Sequence, residues 1–222
     1  MKAYERTRHI TVGKGRAAVP FTERRSKGVF LCIEGIDGSG KTTHAHILVK
    51  TLARRGYESA YTTEPSRGIY GKVIREHVLQ GDHRIAPVVE AVLFAADRLD
   101  HVENEVKPLL NAGKVVVCDR YVYSSIAYQG AAGLSTDWIR NINRHAVTPD
   151  LAVYIDARPE TVIRRIRRSK SVMETLQTQR KVREFYLQMV GSKELEKVDG
   201  DPPVKEVSRA IEDIVAEFLR HR

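Results

Sequence analysis

The sequence predicts an α/β protein: a parallel sheet of five strands with helices on both faces. Three observations lead there. Short, wholly apolar runs read as strands buried on both sides, stretches of 3.6-residue period lie between them, and a glycine-rich phosphate-loop pattern sits where the first strand meets the first helix. Residues 29–33 form the first strand. Residues 42–55 then place Ala45, Leu48, Val49 and Leu52 on one helical face and stop at Gly56, a natural C-cap. A weaker strand covers 59–62. Residues 88–111 carry an apolar stripe of Val92, Ala96, Leu99, Val106 and Leu110 and stop at Gly113. Strands at 115–118 and 151–155 follow, then a last strand at 195–198. A final helix over 204–219 presents Val207, Ile211, Ile214, Val215 and Phe218. In such sheets ligands bind at the C-terminal ends of the strands.

The chain has 222 residues, 42% of them hydrophobic and 29% charged, enough for one globular domain with its own core. No apolar run approaches the ~18 residues of a membrane span, and no apolar secretory segment opens the chain, so the cytoplasm is the expected compartment. Net charge is +9, and the pI is near 9.6. The excess is uneven: residues 1–27 hold eight Lys/Arg against two Glu and show no sustained period, so they read as a basic arm ahead of a nearly balanced domain over 28–222. A second basic cluster lies at 158–170, suited to a phosphorylated small molecule as well as to a polymer. Cys32 and Cys118 each sit inside a strand pattern and read as reduced core thiols. His44 and His46 are two apart on a helix, point about 200° away from each other, and read as surface histidines rather than metal ligands.

After Glu34 the first strand runs into Gly35, Ile36, Asp37, Gly38, Ser39, Gly40, Lys41 and Thr42, which fits GxxxxGK[ST] and opens a helix. Glycines let successive N–H groups turn inward, the helix dipole favours an anion, Lys41 adds a cation, and the Thr42 hydroxyl can ligate Mg²⁺. Nucleotide phosphate is the expected guest. The strand at 115–118 ends in Asp119, where a P-loop protein reaches its metal shell, and Arg120 follows. A helix cap, or a partner for Arg120, is the plainer reading of Asp119. On the 88–111 helix, Phe94 and Arg98 fall about 200° and about 240° from Val92, away from the apolar stripe. An aromatic face beside a guanidinium suits a nucleobase, and a packed Phe with a solvated Arg, or a subunit contact, fits the spacing equally.

Three blocks together resemble the thymidylate kinase family: residues 35–43, the run Phe94, Ala95, Ala96, Asp97, Arg98, Leu99, Asp100, His101, and the run from Asp119 and Arg120 through Tyr121, Ser124, Ser125 and Tyr128 to Gln129 and Gly130. The resemblance extends from about residue 28 to the C-terminus. It implies a P-loop nucleoside monophosphate kinase fold with a short lid, usually a homodimer, that moves the γ-phosphoryl group of ATP onto dTMP with Mg²⁺. It also implies site roles. Gly35 to Thr42 and Thr43 bind ATP, with Thr42 and Asp119 on the metal side. Phe94 stacks on thymine and Arg98 meets a thymine carbonyl. Arg120 holds the acceptor phosphate, Ser125 and Gln129 lie near the base, Tyr128 lies against the deoxyribose, and Asp37 sits near the acceptor sugar and phosphate. Glu64 joins the substrate side.

The chain departs from the family pattern twice. Thr62, Thr63, Glu64, Pro65, Ser66 and Arg67 lack the usual arginine before the glutamate, and Arg67 is the candidate replacement. The lid is rich in arginine at 164, 165, 167 and 168, yet the acidic stretch expected after it is reduced to Glu174. Because the phosphate loop offers Ser39 rather than an arginine, a lid arginine, Arg168 or else Arg167, is expected on the transferring group, with Lys41, Arg120 and Asp37 completing the catalytic set. No Asn-Lys-x-Asp motif supports a GTPase. A kinase for dUMP, which lacks only a methyl group, stays open, as does a catalytically weak nucleotide-binding relative with a nucleic-acid-binding arm, although nucleic acid is not the expected partner.

Overall fold

The computed structural model describes residues 28–80, 85–165 and 175–222. The arm at 1–27 and the lid arginines Arg167 and Arg168 lie outside them. Five strands, β1 (Val29–Gly35), β2 (Ser59–Thr63), β3 (Val115–Asp119), β4 (Leu151–Asp156) and β5 (Glu196–Asp199), form one sheet in the order β2-β3-β1-β4-β5. All pairings are parallel. The central strand β1 sets Val29 opposite Val115 and Ile33 opposite Asp119 on one side, and Leu31 opposite Leu151 on the other.

Alternation along the strands builds two cores. Phe30, Cys32, Val116, Cys118 and Tyr154 pack on one face against α5 (Val122–Ala131) and α8 (Leu176–Gly191), through Val122, Ile126, Ala127, Val182, Tyr186 and Met189. Val29, Leu31, Ile33, Val117 and Ile155 pack on the other face against Ala45, Leu48 and Leu52 of α1 (Lys41–Arg54) and Val207, Ile211 and Val215 of α9 (Val204–Arg220). Because both faces are covered, the strands read as unbroken apolar runs. The helices after β1 and β3 leave to opposite faces, which opens a crevice beyond the C-terminal ends of these two neighbouring strands. Both cysteines are buried free thiols, as expected.

The helix expected over 88–111 differs from expectation. It is α3 (Pro87–His101), one π-helical turn at Val102–Val106, and α4 (Lys107–Asn111). The wider turn shifts the facing of the residues beyond it, so one 100° projection does not hold across the whole span. The inward face of α3 carries Glu90, Ala91, Ala95, Asp97, Arg98 and His101, while Val88, Val89 and Val92 are 46%, 49% and 49% exposed. The apolar stripe expected to face the core therefore starts on the surface, and Arg98, expected away from the core, lies inside it. Polar partners satisfy that arginine, and such pairing outweighs a hydrophobic pattern read on its own. His44 corrects a second expectation: it is buried, with Nδ1 2.9 Å from Ser208 Oγ on α9. His46 is exposed and stacks on Tyr61 at 4.0 Å. Short α2 (Ile69–Val73), with its π-helical continuation Ile74–Leu79, α6 (Thr136–Ile142) and α7 (Pro159–Arg165) complete the described elements.

Candidate active site

The phosphate loop turns between β1 and α1. Gly40 stands before the first turn of α1 at φ +93°, a conformation open to glycine and costly to other residues. A Cβ on Gly35 would run into Ser39 Oγ, so this end of the loop closes only with glycine. Lys41 Nζ donates to the Ile36 carbonyl at 2.8 Å, inside the curve of its own loop. Burial above all, and Arg120 after it, lower the Lys41 pKa against the opposing pull of Asp37 and Asp119, to a net value of about 8. Thr42 and Thr43 are exposed at the start of the helix.

Across the crevice, Thr42 Oγ1 donates to Asp119 Oδ2, and Tyr61 donates to the same oxygen at 3.4 Å. Asp119 Oδ1 is buried with no hydrogen-bond partner. The plainer expectation of a pair between Asp119 and Arg120 does not hold, because the Arg120 side chain turns to Asp37. Arg120 Nη2 donates to Asp37 Oδ1 and, at 3.4 Å, to the Tyr128 hydroxyl; Nη1 donates to Ser124 Oγ at 3.1 Å. Its guanidinium lies 5.1 Å from the centre of the Tyr128 ring. Burial raises the pKa of Asp37, but Arg120 and Lys41 outweigh burial and hold it below the usual carboxylate value.

A second cluster lies deeper. Glu64 at the end of β2 accepts from Arg98 Nε at 2.9 Å and Nη2 at 2.7 Å, with both side chains almost wholly buried. Arg98 also donates to Asn143 Oδ1 at 2.6 Å and Ser125 Oγ at 3.1 Å. His101 Nδ1 is 3.2 Å from Glu64 Oε1. One turn along α5, Gln129 Nε2 donates to Glu90 Oε1 at 2.8 Å. Phe94 is half-buried on α3. Arg67 is exposed. The carbonyls of Pro65 and Ser66 are instead held by Arg75, at 3.0 and 2.5 Å.

The structure thus brings Asp37, Lys41, Thr42, Asp119, Arg120 and Tyr128 together at the strand ends, and Glu64, Arg98 and Ser125 into a separate buried cluster. Two site-lining residues carried no expectation. Glu34, the last side chain before the loop, is wholly buried and accepts from Tyr121 N, Ser124 Oγ and Tyr186 Oη. A carboxylate ending a buried strand was the available signal, the same one that marks Asp119. Gln179 on α8 accepts from Asp37 N at 3.1 Å, and its amide lies 3.4 Å from Asp37 Oδ2. Its spacing offered no signal, because the contact spans 142 residues.

A strand, a GxxxxGKT loop and a helix facing a second strand end with Asp119 and Arg120 define a P-loop phosphotransferase of the nucleoside monophosphate kinase type. The thymidylate kinase family pattern matches residues 33–211. A protein of Pyrococcus abyssi described as a probable thymidylate kinase is 44% identical over 203 residues, spanning 88% of this chain and 97% of its own. Proteins of the same description from Thermococcus gammatolerans and Pyrobaculum aerophilum are 42% and 39% identical, with 86% and 87% of this chain and 98% and 99% of theirs covered. The chain belongs to the thymidylate kinase family.

Proposed function

We infer that this protein transfers the γ-phosphoryl group of ATP to dTMP, giving dTDP and ADP. Its membership of the family supports this activity. The observation in its own structure that carries the reading is Arg120, a cation held by Asp37 and Ser124 at the edge of the phosphate loop. A second phosphate brought there meets the donor phosphate in the same crevice. Lys41 takes the donor phosphates once they displace its bond to Ile36. Arg120 takes the acceptor phosphate, Tyr128 packs against the sugar, and Phe94, Arg98, Ser125 and Gln129 form the base side, with Asp37 and Glu64 fixing the two arginines. No general base is required, since a phosphate monoester with a second pKa of about 6 is already ionised at neutral pH. Rate enhancement comes from alignment and positive charge, with Arg168 or Arg167 proposed on the group in transit.

The residues present fit Mg²⁺. The Thr42 hydroxyl, held beside Asp119, and the buried, unpaired Asp119 Oδ1 would supply two hard oxygen ligands, and Mg²⁺ prefers few protein oxygens together with phosphates and water. When bound, the ion neutralises charge on the donor β and γ oxygens. Among the described residues no helix is long and apolar enough to cross a membrane; we place the protein in the cytoplasm, beside its soluble substrates. We also propose a homodimer. Among the described residues, Ile69, Tyr70, Leu79, Val88, Val89 and Val92 are exposed apolar side chains on two neighbouring helical segments. A second copy presenting the same face would cover them. The arm at 1–27, ahead of the family match, is proposed to lie outside the catalytic body.

A coupled ADP-release assay across dTMP, dUMP, UMP, dCMP and dGMP tests the activity. Turnover should be greatest with dTMP in kcat/KM. Absence of ADP release with dTMP, or a clear preference for another monophosphate, would overturn it.

A further inference from the structure

We propose that Glu34 is a positioning residue for phosphoryl transfer: acting through Ser124 and the backbone of Tyr121, it fixes the Arg120 guanidinium in place to receive the acceptor phosphate. The inference rests on the reading of Arg120 as the acceptor-phosphate cation and adds what holds that cation in position.

Glu34 is the last side chain of the central strand and is wholly buried, so its carboxylate needs hydrogen-bond donors on both oxygens. Oε1 accepts from Tyr121 N at 2.7 Å. Oε2 accepts from Ser124 Oγ at 2.7 Å and from Tyr186 Oη at 2.8 Å. A carboxylate only accepts, so the single Ser124 proton is committed to Glu34 and the Ser124 lone pairs are left for Arg120 Nη1, 3.1 Å away. The direction of the whole relay is therefore set at Glu34. The backbone depends on it as well. Arg120 has φ +72°, a left-handed conformation that a non-glycine residue keeps only when its surroundings enforce it. Two consecutive residues of β1 do so: Ile33 O accepts from Arg120 N at 3.1 Å, and Glu34 accepts from the next N–H, that of Tyr121.

Glu34→Gln is nearly isosteric and separates polarity from packing. Its NH₂ group must face either the Tyr121 N–H, where two donors oppose, or the Ser124 and Tyr186 hydroxyls, where it reverses the relay and turns the Ser124 proton toward Arg120. Steady-state kinetics of the full chain would compare Glu34→Gln, Ser124→Ala, Arg120→Lys and the doubles with Arg120→Lys, each variant first shown to be folded by circular dichroism. Glu34→Gln should raise the dTMP KM about tenfold and change the ATP KM less than twofold, and Ser124→Ala should raise the dTMP KM about fivefold. Each should add less than twofold in the Arg120→Lys background, because the group they position has already been replaced. If Glu34→Gln does not fold, Ser124→Ala and its double carry the same comparison. A dTMP KM within twofold of the parent in these variants, while Arg120→Lys raises it, would overturn the role of Glu34 and leave that of Arg120 standing. Equal increases in both KM values, or full additivity with Arg120→Lys, would overturn it as general loosening. An unchanged dTMP KM in Arg120→Lys would overturn the acceptor-phosphate reading itself.

Discussion

Raising the pH from 7.5 to 9 should weaken MgATP binding about eightfold through the titration of Lys41 alone. Burial lowers this lysine's pKa to about 8, against the usual value of about 10.4. In the free protein about three-quarters of Lys41 is charged at pH 7.5 and about one-eleventh at pH 9. Donor phosphates favour the charged form, so binding at the higher pH must recruit a proton. The ratio of protonated populations gives the factor of about eight, or about 1.2 kcal/mol. The same lowered value makes stability rise with pH between about 8 and 10.4 in the free protein, because there the unfolded chain holds the extra proton. Isothermal titration calorimetry with MgATP in two buffers of different ionisation enthalpy reads the proton directly. Uptake should be about 0.9 proton per ATP at pH 9 and about 0.25 at pH 7.5. Lys41→Arg, whose cation does not titrate in this range, should bind with no pH dependence from this source. Zero uptake at pH 9, or the same pH dependence in Lys41→Arg, would refute the reading that the phosphates recharge a Lys41 of lowered pKa.

Arg98→Met leaves Glu64 buried without its main partner and should cost about 3–5 kcal/mol in urea unfolding; a loss under about 1 kcal/mol would show that the pair is not a structural keystone. Arg168→Ala should lower kcat with little change in dTMP KM, since the proposed contact would strengthen only as charge develops, and kcat within about twofold for both Arg167→Ala and Arg168→Ala, under about 0.4 kcal/mol, would rule out a lid-arginine mechanism. Val92→Glu, a charge on the exposed face of α3, should convert the proposed dimer to monomer in sedimentation equilibrium while leaving far-ultraviolet dichroism unchanged; an unaltered mass would place the dimer contact elsewhere or exclude a dimer.

The sequence by itself determined the sheet and the phosphate site. Strands buried on both faces must be continuously apolar, so 29–33, 115–118 and 151–155 stood out, and the glycine, lysine and threonine spacing of 35–42 is demanded by phosphate geometry over eight consecutive residues. Those signals are local. The helix carrying Ser125, Tyr128 and Gln129 was marked by its motif rather than by its periodicity, because it is buried around most of its circumference. Tertiary structure alone decided which face of α3 turns inward. Its hydrophobic pattern pointed to Val92, yet Arg98 is buried because Glu64, Ser125 and Asn143, 27 to 45 residues away in sequence, satisfy its donors. The same holds for Asp119, which meets Thr42 rather than its neighbour Arg120, and for Glu34 and Gln179, whose partners lie up to 152 and 142 residues away. A buried polar side chain is placed by its partners, and partners brought together by folding leave no period in the sequence.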